Sequence, residues 1–75
     1  MDEGYILSNK FRRVIFEGLV SGEKNINLIS KKHRIALIIT KKIIDDFIKN
    51  KIIKKKGNVY LLTEEGEKLA LIINR

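Results

Sequence analysis

Ile52-Ile53-Lys54-Lys55-Lys56-Gly57-Asn58-Val59-Tyr60-Leu61-Leu62-Thr63 is the stretch on which the reading of the fold turns. Two β-rich runs, Ile52 to Lys56 and Val59 to Leu62, flank Gly57-Asn58, a two-residue loop of the kind that closes a hairpin through a primed turn. Thr63 then stands as an N-cap, and Glu64 and Glu65 follow where the helix dipole favours acids, so the pattern predicts a last helix over 64–73. Leu69, Ala70, Leu71, Ile72 and Ile73 leave that helix without a polar face, which predicts burial on more than one side.

Upstream of the hairpin, Thr40, Ile43, Ile44 and Phe47 recur at i, i+3, i+4 and i+7, which predicts a helix from about Ala36 to Asn50. Before it, Asn25-Ile26-Asn27 reads as a short extended piece ending in an Asn cap. Leu28 to His33 then supplies a two-turn helix. Ser8 is the expected cap of a first helix through Val20, with Phe11, Val14, Ile15 and Leu19 at helical spacing and Ser21-Gly22 as its stop. Phe16 and Val20 fall on another side of that helix and need a second apolar partner.

A chain of 75 residues has room for one domain, here residues 1–75 with a core over 8–63 and a C-terminal helix over 64–73. With no cysteine, neither a disulfide nor a thiolate metal site is available, and 44% hydrophobic content must supply the core alone. No apolar run exceeds five residues, Ile35 to Ile39 being one, against the roughly 20 of a membrane span. With Asp2 and Glu3 near the start in place of a signal sequence, the expected location is the cytoplasm. The formal charge of +7 is concentrated: Lys31 to Lys56 holds ten basic and two acidic residues, while the remainder holds six basic and seven acidic. A basic surface confined to the central third points to a polyanion, nucleic acid first and an anionic membrane second. The membrane is disfavoured because the apolar stripe of the central helix is needed for the core.

The order helix, short strand, helix, tight turn, helix, hairpin, helix resembles the winged helix-turn-helix domain of small archaeal and bacterial transcription regulators. Ile26-Asn27-Leu28-Ile29-Ser30-Lys31-Lys32-His33-Arg34-Ile35 resembles the first helix and turn of that motif, and Thr40 to Phe47 the buried side of its second. Phe47 through Ile53 is similar to the passage from recognition helix to wing, and Tyr60-Leu61-Leu62-Thr63-Glu64-Glu65-Gly66 to its close. The resemblance implies an α+β, mostly helical fold: a three-helix core, a two-stranded β wing and a C-terminal helix. It departs from the family at Arg34, where glycine is common, and at Leu37-Ile38-Ile39, where polar residues are common.

The resemblance also implies double-stranded DNA as partner and a role as a transcription regulator or nucleoid-associated protein. With Thr40 buried, the outward face of the central helix carries Ile38, Lys42, Asp45 and Lys49, edged by Lys41 and Ile39. The expected DNA-facing residues there are Leu37, Ile38, Lys41 and Lys42 in the major groove and Asp45, whose charge repels phosphate and keeps the far end of the helix out of the groove. Lys54, Lys55, Lys56 and Asn58 follow on the wing, and Asn27 completes the set at the start of the motif. Two plainer readings stand beside these: a solvated face flanking a protein-binding patch at Leu37, Ile38 and Ile39, and edge lysines that only prevent strand aggregation. Phe16, Val20, Leu69, Ile72 and Ile73 are the expected interface of a homodimer, the alternative being a last helix folded back within one chain. His33 is expected to be structural. Asp45-Asp46 is expected to be solvated helix surface. Neither a Gly-rich phosphate loop nor a nucleophile with its base is present, so a non-enzyme without cofactor or metal is expected.

Overall fold

The computed structural model describes residues 3–73, in the order α1 (Glu3–Leu7), α2 (Lys10–Val20), α3 (Ile26–His33), α4 (Leu37–Lys49), β1 (Ile53–Lys56), β2 (Val59–Leu62) and α5 (Glu64–Ile73). Helix α4 is the centre of the packing. Its stripe of Thr40, Ile43, Ile44 and Phe47 is buried against α2 and α3, as the spacing predicts. Phe47 receives the ring of Phe16 edge-on at 6.2 Å and that of Tyr5 at 6.2 Å, two aromatic contacts that join α1, α2 and α4.

Helix α1 was not expected, and it extends the core beyond residues 8–63. Ile6 is fully buried, and the Tyr5 hydroxyl accepts from Asn50 Nδ2 at 3.2 Å. The Arg12 guanidinium lies 4.4 Å from the centre of the Tyr5 ring and donates to its carbonyl. The cap of α2 is Asn9 in place of Ser8: its side chain accepts from the N–H groups of Phe11 at 2.9 Å and Arg12 at 3.1 Å. Asn25, two residues before the expected Asn27, caps α3 by accepting from Leu28 N–H. The expected short strand reduces to one backbone bond, Tyr60 N–H to the Lys24 carbonyl at 3.1 Å.

The expected dimer residues need correction. Phe16 and Leu69 are buried in the chain's own core, because α2 turns Ile15, Phe16 and Leu19 inward and leaves Phe11 at its first turn 41% exposed. Val20 and Ile73 pack partly buried against the same core, and of the five only Ile72 is an exposed residue. Leu69 and Ala70 bury the last helix in that core, while Leu71 and Ile72 face outward.

Two turns place basic residues in the left-handed region. Arg34 (φ 54°, ψ 43°) ends α3 with bonds from Arg34 N–H to Lys31 O and from Ile35 N–H to Ser30 O. Lys51 (φ 60°) ends α4 with the same pair, Lys51 N–H to Ile48 O and Ile52 N–H to Phe47 O. Both are Schellman closures, which favour glycine at the left-handed position; a side chain there costs about 1 kcal/mol.

The wing leaves the core at Ile52, and Thr63 ties its base. Thr63 N–H donates to the Ile52 carbonyl at 2.9 Å, its hydroxyl faces the carbonyls of Lys51 and Ile52, and its Oγ1 accepts from Gly66 N–H, capping α5 as predicted. Gly66 is required here: a Cβ would overlap the carbonyl oxygen of Ile52, which is backbone and cannot turn aside. In the hairpin, Gly57 has φ 63° while Asn58 is not among the positive-φ residues, the φ pattern of a type II′ turn.

A buried-edge ion pair braces the motif's first helix. Glu23 Oε1 accepts from His33 Nε2 at 2.9 Å, and its Oε2 meets Lys32 Nζ at 3.2 Å, so a residue three positions before α3 grips the last turn of that helix. His33 is thus structural, as expected. The hydrogen bond from His33, with Lys32 adding to it, holds the Glu23 carboxyl below its ordinary value of 4.5 against the opposing effect of burial. A carboxyl depressed in the native state stabilises above its unfolded pKa and loses that contribution as the pH falls through the native one. Glu23→Gln should therefore lower the urea midpoint at pH 7 and converge on the parent protein as the pH falls below the depressed pKa of the carboxyl, measured by circular dichroism. Equal midpoints at pH 7 would show that the pair stabilises nothing.

Candidate nucleic-acid interface

The side chains expected to meet DNA divide into three groups according to two periodicities. On α4, burial of Thr40, Ile43, Ile44 and Phe47 leaves Leu37, Ile38, Lys41, Lys42 and Asp45 exposed, with Ile38 at 79%. The outward face is therefore where the helical spacing puts it. This helix begins at Ala36 without a side-chain cap hydrogen bond and without an acid in its first turn.

On the wing the period is two. Antiparallel pairing sets Ile53 opposite Leu62, Lys54 opposite Leu61, Lys55 opposite Tyr60 and Lys56 opposite Val59. Ile53 points into the core, so Lys55 and Tyr60 share its face while Lys54 and Lys56 point to the other. The Lys55 ammonium stands 5.9 Å from the centre of the Tyr60 ring. Lys54 borders an open depression together with Lys51, Lys55, Glu64 and Glu65, the two acids being paired with Lys68.

The inner face of the wing meets the motif in an open cleft of about 340 Å³. Asn25, Ile26 and Asn27 at the start of α3 line one side, Lys41 of α4 another, and Lys55, Asn58 and Tyr60 of the wing the third. Four residues expected at the interface, Asn27, Lys41, Lys55 and Asn58, converge here from three elements. Leu37, Ile38, Lys42 and Asp45 lie on the exposed face of α4 outside this cleft, and Lys54 and Lys56 on the opposite face of the hairpin. Asn25, Ile26 and Tyr60 were not expected. The signal for Tyr60 was present, since it stands opposite Lys55 once the two-residue turn fixes the register; Asn25 was hidden by placing the cap at Asn27.

Chemically, the cleft offers two ammonium groups, three side-chain amides and a phenol, a set that can donate to phosphate oxygens and to base edges. No Asp or Glu occurs from Lys24 to Ile44, and Glu23 just before is already held by Lys32 and His33. The field around the start of α4 is thus positive without internal compensation. Apolar side chains share this surface: Leu28 is 63% exposed, and Leu37 and Ile39 are also exposed. Among the described residues, no cluster of three His, Cys, Asp or Glu could hold a metal, and no helix is long and apolar enough to cross a membrane.

No curated protein and no solved structure matches the chain significantly. A family model described as winged helix-turn-helix matches residues 4–75. That match spans nearly the whole sequence, and the order of elements agrees with it: two helices joined by the Arg34 turn, then a two-stranded wing closed by Thr63 onto a last helix. The chain belongs to the winged helix-turn-helix family.

Proposed function

We propose that this protein binds double-stranded DNA as a small transcription regulator or nucleoid-associated protein, with α4 in the major groove and the lysine-rich wing on the phosphate backbone. The observation that carries the reading is the convergence of Lys41 from α4 and Lys55 from the wing on one cleft, with the amides of Asn25, Asn27 and Asn58 beside them and no acid among its lining residues. Family membership supports the same partner. Lys42 on the outer face adds a phosphate or guanine contact, and Ile38 is suited to a thymine methyl. The chain works as a binding module and not as an enzyme.

Binding to a mixed-sequence duplex across a salt series, followed by fluorescence anisotropy, tests this. About 4 phosphates neutralised per protomer would give a slope of log affinity against log salt of roughly −3.6, at about −0.9 per phosphate. A flat or absent signal would overturn the reading. It would favour instead a protein-interaction module within a transcription or replication assembly, for which Leu37, Ile38 and Ile39 form an exposed apolar patch.

A further inference from the structure

Arg34 and Lys51 are the two non-glycine residues with positive φ among those described, and both are exposed basic residues flanking α4. Glycine would serve both Schellman closures better. The two differ in surroundings. Lys51, which takes part in no ion pair among the described residues, follows the C-terminal end of α4, where the helix dipole favours a cation. Arg34 takes part in none of the ion pairs among the described residues, and the nearby Glu23 is engaged by Lys32 and His33. Nor does the end of α3 need a further cation: Lys31, Lys32 and His33 already occupy its last turn. Arg34 also lies three residues before the first turn of α4, the end of a helix where positive charge is disfavoured. A side chain that strains its backbone, opposes a helix dipole and meets no internal anion is explained by an external one.

We propose that Arg34 is a phosphate contact of the bound duplex, retained at a position whose backbone favours glycine. It stands in the turn between the helices that carry Lys31 and Lys41, on the acid-free stretch from Lys24 to Ile44. The guanidinium fork suits a phosphodiester, which it can engage through two parallel N–H donors. The proposal rests on the DNA-binding reading above and adds to it a residue on the opposite side of α4 from the wing in sequence.

The test compares Arg34→Gly, Lys51→Gly and Arg34→Lys with the parent protein, in thermal unfolding and in duplex binding across the salt series. Both glycine variants should melt about 4 °C higher, from the relief of the left-handed side chain. Arg34→Gly should nevertheless bind about tenfold more weakly, with its salt slope shallower by about 0.9. Lys51→Gly should bind within about twofold of the parent, and Arg34→Lys should keep the parent slope, one cation replacing another. Parent-like affinity and slope for Arg34→Gly would overturn the contact and leave DNA binding standing. A lower melting temperature for Arg34→Gly would remove the premise that glycine is favoured there. Absence of salt-dependent binding by the parent protein would overturn the DNA reading and this contact with it.

Discussion

Replacing Lys41 and Lys55 together by Glu is expected to lower duplex affinity at physiological salt by about 100- to 1,000-fold. Each substitution removes a phosphate contact worth roughly tenfold and adds a repulsive charge in a cleft that contains no acid to start with. The comparison that gives the number meaning is Lys54→Glu with Lys56→Glu. It changes net charge equally but acts on the other face of the hairpin. That pair should cost tenfold or less. All four lysines are exposed, so circular dichroism and melting should match the parent in both cases. Equal losses from the two pairs would mean that only overall charge matters and that the cleft is no site.

The second large effect is on stability. Phe47→Ala should cost about 3–5 kcal/mol, because it removes a fully buried ring that touches both Phe16 and Tyr5 and leaves a void between three helices. A domain of this size has about 4–11 kcal/mol in all, so the variant should lose at least about a quarter of its stability and, at the low end of that range, be unfolded at 37 °C. Leu71→Ala, at a site 75% exposed, should move stability by no more than about 0.5 kcal/mol. Urea unfolding followed by circular dichroism checks both. A Phe47→Ala variant within 1 kcal/mol of the parent would show that α1 and α2 are not held through this ring.

Helix α4 and the wing were legible in the sequence because each repeats its period often enough to be recognised. The buried stripe from Thr40 to Phe47 is the one the spacing predicts, and Gly57-Asn58 fixes the strand register. Helix α1 was not legible: five residues are too few for a helical period, and it is held by contacts from Tyr5 to Phe47 and Asn50, more than forty residues away. Its neighbour was misjudged for a related reason. Phe11 and Phe16 are equally apolar in sequence, but Phe11 lies in the first turn of α2, where it stays exposed, so the expected dimer surface was partly core. Caps slipped by one or two residues because Ser8 and Asn9, or Asn25 and Asn27, are comparable acceptors, and only the geometry chooses between them. At the interface, the residue types were readable while their convergence was not. Which of three consecutive lysines meets Lys41 depends on Ile53 turning inward.

The ion pair beside α2 limits what position 18 can hold. A Cβ at Gly18 would overlap Oε1 of Glu23 and stand 3.2 Å from His33 Nε2, so a side chain there would push the tip of Glu23 out of its present place. Gly18, Glu23 and His33 therefore meet where α2, the loop after it and α3 come together. Alanine at position 18 would gain helix propensity but push the carboxylate away from His33, so the helix and the ion pair compete for the same space.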